Sequence, residues 1–209
     1  LGDVYKRQLG RYLIHAPRIQ QRMYRQLLPR NLSIFSDSDH AGCKVSRKST
    51  SSGVIMNGDH FIKLSSTTQG VLSLSSAEAE WFAMVKASCL GIGTQSAMKD
   101  FGVAVGIHLH TDSSAAKGIG SRRGVGKVRH LDTNLLWVQD NLKDSSFALH
   151  KVRGEYNVAD LLTKHVPQLM VRHQIGRMGL AFDTGRAGAA PTLAALPRAR
   201  LTPMSAREM

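Results

Sequence analysis

Cysteine is nearly missing from this 209-residue chain, which holds only Cys43 and Cys89, at no metal or redox spacing. A disulfide framework and a cysteine-built zinc site are thereby excluded, and a reducing, intracellular setting is expected. No apolar run approaches the ~18–20 residues that cross a bilayer. The opening L-G-D-V-Y-K-R-Q lacks the apolar core and small-residue cleavage site of a signal peptide. No membrane partner is expected, and no internal repeat is present. Acids are scarce too, with 15 Asp and Glu against 28 Lys and Arg, a net charge of +13.

That excess points to polyanions, but its distribution weakens the point. Residues 1–30 carry seven bases against one acid, and residues 166–209 carry six against two. Residues 31–165 are nearly balanced, with 15 bases and 12 acids. Solvated basic ends explain most of the charge as well as a nucleic-acid partner does.

The chain divides into three parts. Residues 1–30 read as a basic, amphipathic helical segment, roughly Leu9 to Leu28, interrupted by Pro17 and ended by Pro29. Leu1 is not a methionine, so the segment is expected to continue something upstream. Residues 31–167 alternate strand and helix patterns. Leu32–Phe35 is strand-like, and Asn57-Gly58 joins Gly53–Met56 to His60–Leu64 as a hairpin. A third extended stretch is expected at Val71–Leu74. A helix is expected from Ser75 to about Leu90, stopped by Gly91 and Gly93, with a shorter one at Thr94–Phe101. A strand at Gly106–Thr111, helices at Ser113–Gly118 and Leu131–Leu142, a strand at Phe147–Val152 and a helix at Asn157–Lys164 follow. The fold class is α/β, a mixed sheet with helices packed on it. Residues 168–209 form an Ala/Pro/Arg-rich tail, expected to be disordered.

Four acids carry most of the information. Asp37 and Asp112 each end an apolar run, Glu80 lies inside a helical stretch, and Asp160 opens the last helix. A domain gathers four carboxylates only when something cationic holds them. With no zinc-like ligand set, Mg²⁺ or Mn²⁺ is the natural candidate.

Six motifs appear in order: F-S-D-S-D-H-A-G, R-K-S-T-S-S-G, L-S-S-A-E-A-E-W, H-T-D-S-S-A-A, K-V-R-H-L-D and N-V-A-D-L-L-T-K. Together they resemble the ribonuclease H domain of copia-type retrotransposon Pol polyproteins, over about residues 33–167. L-G-R-Y-L near the start resembles the segment joining that domain to a reverse transcriptase, whose Y-x-D-D motif is absent here. The resemblance implies an RNase H-like fold, a five-stranded mixed sheet with three antiparallel strands and two parallel ones, flanked by helices. It implies endonucleolytic hydrolysis of RNA in RNA–DNA hybrids, with two divalent ions held by Asp37, Glu80, Asp112 and Asp160. It also implies a reverse transcriptase partner in the same polyprotein, a cytoplasmic particle or nuclear location, and a monomeric fragment.

Each acid has a competing structural role. Asp37 also suits a turn carboxylate, as does the neighbouring Asp39. Glu78 has capping-box spacing from Ser75, which leaves Glu80 on the face with Ala83, Met84 and Ala87. Asp112 also suits an N-cap, and Asp160 a helix start. His130 matches a family histidine but reads more simply as packed, and His150 is a poor substitute for a product-release histidine. Phosphate contacts are expected from Lys117, Arg122, Arg123, Lys127 and Arg129, a basic glycine-rich run, and from Arg47, Lys48, Ser49 and Thr50. His40 stands where the family usually has an aromatic, and Ser52 is an extra residue before Gly53. These departures keep open a second reading, a catalytically inactive nucleic-acid-binding or tethering module. An integrase-like transferase is disfavoured, because its glutamate comes last and here it comes second.

Overall fold

The computed structural model describes residues 18–124, 126 and 133–184. In chain order the elements are β1 (Arg18–Gln21), β2 (Asn31–Asp39), β3 (Thr50–Asn57), β4 (His60–Thr68), α1 (Ser76–Asp100), β5 (Gly106–Thr111), α2 (Ser114–Gly120), α3 (Trp137–Lys143), β6 (Phe147–Lys151), α4 (Gln168–Arg177) and β7 (Leu180–Asp183). Single 3-10 turns lie at Thr133–Leu136, Gly154–Tyr156 and Val158–Leu162.

Five strands form one sheet in the order β4-β3-β2-β5-β6. Strands β2, β3 and β4 are an antiparallel meander, while β5 runs parallel to β2 and β6 parallel to β5. This is the mixed sheet that the motif resemblance implies, and the fold is RNase H-like. β1 and β7 make a separate two-stranded sheet. Contacts divide the chain into residues 21–181 and a smaller unit of residues 1–20 with 182–209. In the smaller unit Arg18 and Gln20 both bond the Asp183 carboxylate.

Side-chain alternation gives the sheet two apolar faces. On one face Leu32, Ile34, Ile55, Ile107 and Leu109 pack against Trp81 and Met84 of α1. On the other, Phe35, Val54 and Met56 meet Val158, Ala159, Ile175 and Met178. Each fully buried side chain of this kind contributes roughly 1.5–3 kcal/mol. β2 and β3 are therefore anchored on both faces, and polar groups at the end of β2 can be buried against a rigid frame.

Helix α1 lies close to the sheet along a stripe of small residues at four-residue intervals, Ala79, Ala83, Ala87 and Gly91, all buried. A Cβ on Gly53 of β3 would sit 3.2 Å from the Ala87 Cβ, and one on Gly91 only 2.0 Å from Ile34 Cδ1. This explains one departure from the sequence reading. Gly91 and Gly93 do not stop the helix, which runs on to Asp100, because Gly91 serves a close approach instead of a C-cap.

Other departures lie elsewhere along the chain. Val71–Leu74 is not a strand, and the Asn157–Lys164 helix is a 3-10 turn over Val158–Leu162. In the hairpin only Gly58 takes a positive φ, +61°, while Asn57 still pairs with His60. No helix spans residues 18–30, where a helical segment was expected. Gln26 there donates to Asn57 O at 2.9 Å and accepts from Asp59 N at 3.0 Å, laying the segment along the hairpin. Residues 168–184, expected to be disordered, form α4 and β7, with Ile175 and Met178 buried on the second face of the sheet. The rest of both end segments lies outside the described residues.

A candidate metal centre at the strand ends

β2 and β5 are parallel, so their carboxyl ends emerge on the same edge of the sheet, where open α/β sheets place their sites. Asp37 lies near the end of β2, opposite Ser52 of β3. Asp112 follows the last residue of β5. Glu80 comes from the second turn of α1, which the small-residue stripe holds down on the sheet. One carboxylate oxygen from each of Asp37, Glu80 and Asp112 lies within 4.8 Å of the others.

Asp37 is fully buried. Its Oδ1 accepts from Lys164 Nζ at 2.8 Å and its Oδ2 from the Thr163 hydroxyl. Asp160 stands slightly apart from the three converging acids and is joined to them through Lys164, whose Nζ is 3.2 Å from Asp160 Oδ1. The turn carrying Asp160 is tied to the sheet: Ser52 Oγ donates to Ala159 O at 2.9 Å and Ser66 Oγ to Leu162 O at 2.9 Å. Asn157, also fully buried, donates to Ser36 O at 3.1 Å and to Asp112 Oδ1 at 3.3 Å. Gly154 leaves Asp112 room, since a Cβ there would sit 3.3 Å from Asp112 Oδ2.

The electrostatics are those of a cluster short of positive charge. Burial, then the charges of Asp37 and Asp112, push the Glu80 carboxyl up to about 8. Burial, then Asp37, push Asp160 up to about 7. Burial works against the Lys164 ammonium, but its hydrogen bond to Asp37 and the charges of Asp37 and Asp160 outweigh it and raise its pKa. Glu80 Oε2 is buried with no hydrogen-bond partner among the described residues. An all-carboxylate set with one unsatisfied buried oxygen fits a hard divalent cation such as Mg²⁺ or Mn²⁺.

The competing acids have other work. Asp39 Oδ1 accepts from the Thr50 amide, and its carboxylate fills the space where a Gly42 side chain would be. Glu78 Oε2 accepts from Leu74 N at 2.6 Å, while Ser75 Oγ accepts from Glu78 N at 3.2 Å. The cap therefore closes one residue earlier than the capping-box pattern implies.

The expected phosphate contacts are scattered. Arg47 is exposed, with φ +57°. Lys48 Nζ bonds Gly70 O at 2.7 Å. Ser49 is 1% exposed and its hydroxyl accepts from Ala41 N, so it braces the loop instead of facing a ribose. Thr50 is half-buried, as is Lys117. Arg122 and Arg123 line a cleft of about 570 Å³ with Lys143, and none of the four site carboxylates lines it. Lys127, Arg129 and His130 lie outside the described residues. His150 stacks with His110 at a centroid distance of 5.1 Å and lies tilted against His108 at 4.8 Å, both on β5. Thr163, Lys164 and Asn157 were given no role from sequence. Thr163 and Lys164 carry a signal in N-V-A-D-L-L-T-K, where one helical turn brings residues three and four positions on back beside Asp160. The role of Asn157 depends on its distant partners Ser36 and Asp112.

No family profile matches the sequence. The retrovirus-related Pol polyprotein from transposon TNT 1-94 of Nicotiana tabacum is 27% identical over 140 residues, covering 64% of this chain and 10% of that protein. The chain thus spans about a tenth of that relative's length. Among solved structures, the N-terminal RNase H domain of a Mycobacterium tuberculosis protein is 22% identical, with TM-score 0.44, over 64% of this chain and 90% of that one. LC11-RNase H1, isolated from compost, is 18% identical, with TM-score 0.44, over 64% and 92%. A foamy viral protease–reverse transcriptase is 15% identical, with TM-score 0.42, over 78% and 27%. In its ordered motifs and in that Pol relative, the chain is similar to the ribonuclease H domain of a copia-type retrotransposon Pol polyprotein.

Proposed function

We propose that this chain is a retrotransposon ribonuclease H that cleaves the RNA strand of RNA–DNA hybrids endonucleolytically with divalent ions. The convergence of Asp37, Glu80 and Asp112 around an unsatisfied Glu80 oxygen carries the reading. Divalent ions, when bound, supply the Lewis acidity that phosphodiester hydrolysis requires. Glu80 and Asp112 would hold one and Asp160 the other, with the Asp37 carboxylate lying between the two sets. Asn157 fixes the direction of the Asp112 carboxylate, and Ser52 and Ser66 hold the Asp160 turn in register with it. Products with 3′-hydroxyl and 5′-phosphate ends are expected.

Arg47, Lys48, Thr50, Lys117, Arg122 and Arg123 are proposed to meet the sugar–phosphate backbones, with Lys127 and Arg129 beyond the described residues. A reverse transcriptase domain of the same polyprotein is the proposed partner. The inactive-module reading has less support. Ser52, one of the departures that suggested it, bonds both Ala159 O and Asp37 O and so braces the site.

The test is incubation with a labelled RNA–DNA duplex, with and without Mg²⁺, beside Asp37→Asn. Metal-dependent RNA cleavage that the variant loses supports the proposal. Folded protein that cleaves neither strand, or a variant as active as the wild type, overturns it.

A further inference from the structure

The two halves of the carboxylate cluster are not equivalent. Glu80 Oε2 has no protein partner among the described residues, so the Glu80–Asp112 side is open to a cation. On the other side both oxygens of Asp37 are engaged, one by Lys164 Nζ at 2.8 Å and one by the Thr163 hydroxyl. Asp160 is drawn to the same ammonium at 3.2 Å. A positive charge bonded to both Asp37 and Asp160 is where a second cation bridging those residues would have to go.

Resting on the metal-centre reading above, we propose that Lys164 is an internal counter-ion occupying the Asp37–Asp160 cation position, which a second divalent ion must displace. Its geometry suits a removable plug. The side chain is 41% exposed while the Asp37 side chain is 0% exposed, so the ammonium reaches inward from the surface. Its four-carbon stem can swing the charge back into water without moving the backbone. The i,i+4 spacing from Asp160 keeps it tethered one turn away, ready to return. Without it, Asp37 would be a buried carboxylate facing Asp160 with no cation, a costly state. The device lets the protein fold before metal arrives and makes loading sequential: the Glu80–Asp112 side first, the Asp37–Asp160 side second and more weakly.

Mn²⁺ binding to the whole 209-residue chain, followed by the loss of free-ion paramagnetic resonance signal, reads this directly. Wild type is expected to bind in two unequal steps. In Lys164→Gln the weaker step should tighten by roughly tenfold or more, about what one charge-assisted hydrogen bond is worth. Asp112→Asn should weaken the tighter step. A second readout leaves the chain unmutated: limited acylation with acetic anhydride, read by peptide mass spectrometry with exposed Lys99 as internal reference. Saturating Mg²⁺ should raise Lys164 acylation several-fold relative to Lys99. Mn²⁺ binding that Asp112→Asn weakens, with Lys164 acylation unchanged or slowed by Mg²⁺, overturns the counter-ion role and leaves the metal centre standing. No Mn²⁺ binding, or binding indifferent to Asp112→Asn, removes the metal centre and this inference with it.

Discussion

The Asn157 carboxamide donates to Asp112 Oδ1 at 3.3 Å and, through the same nitrogen, to the carbonyl of Ser36 at 3.1 Å, beside Asp37. Its oxygen accepts from Ala159 N at 3.3 Å, at the start of the turn that carries Asp160. One buried side chain thus links three of the four site acids. Asn157→Ala would leave Ser36 O and Ala159 N short of a partner, at a cost of about 1–3 kcal/mol for each group left unsatisfied. Urea unfolding should show a loss of this order. Single-turnover cleavage of a hybrid should slow at least as much as stability falls, with hybrid affinity little changed. A variant that is destabilised but cleaves at the wild-type rate would show that Asn157 matters to the fold alone.

Two acids two residues apart, Asp37 and Asp39, should behave in opposite ways. Asp37 faces Glu80 and Asp112 across the cluster, whereas Asp39 closes a loop by accepting from Thr50 N. Asp37→Asn is expected to cut Mg²⁺-dependent cleavage by orders of magnitude with the fold intact by circular dichroism. Asp39→Asn weakens one hydrogen bond to a charged acceptor, roughly 1–2 kcal/mol, and should leave the cleavage rate within a few-fold of wild type. Equal loss in both variants would contradict the assignment.

The raised carboxyls make stability and metal binding depend on pH in opposite directions. Glu80 is pushed from 4.5 to about 8 and Asp160 from 3.8 to about 7. Between the ordinary and raised values the folded chain binds more protons than the unfolded chain, so stability falls as pH rises. Without metal, Tm is expected to drop from about pH 5 to about pH 8, most of it across this window. Metal binding needs the same groups ionised, so Mg²⁺ should raise Tm far more at the upper end than at the lower. Glu80→Gln should flatten the metal-free profile. A metal-free Tm that climbs steadily over this range would show that the cluster is not electrostatically frustrated.

Much of the site could be read directly because its signals are local. Asp37 and Asp112 follow apolar runs that become β2 and β5, which puts Asp37 near the carboxyl end of one strand and Asp112 just past that of the other. Glu80 was separable from Glu78 because helical spacing puts them on different faces. What was not legible depended on contacts between distant segments. The order of Gln168–Arg177 comes from Ile175 and Met178 meeting Phe35, Val54 and Met56, and a short, largely polar helix shows little of that. The extended course of residues 22–30 is set by the bonds of Gln26 to the Asn57–His60 turn, over thirty residues away. Lys164 was visible as a motif residue, but only the fold shows that its charge reaches Asp37.

Gly91 and Gly93 both lie inside α1, and the fold assigns them opposite sensitivities. A Cβ on Gly91 would meet Ile34 Cδ1 at 2.0 Å, in a core where Ile34 is 1% exposed, while a Cβ on Gly93 meets nothing within 4 Å. Gly→Ala inside a helix gains about 0.8–1 kcal/mol in propensity, whereas forcing a methyl into a packed core costs about 1–3 kcal/mol. Gly93→Ala should therefore stabilise by up to about 1 kcal/mol, and Gly91→Ala should destabilise despite the same propensity gain. Ile34→Val removes the atom in the way. Alone it costs about 0.5–1.5 kcal/mol, but combined with Gly91→Ala it should cost less than the sum of the two changes. Urea unfolding of the four proteins in this cycle measures the coupling directly. Strict additivity would mean that Gly91 is not held by Ile34, and that the close seat of α1, which aims Glu80 at Asp37, has another cause.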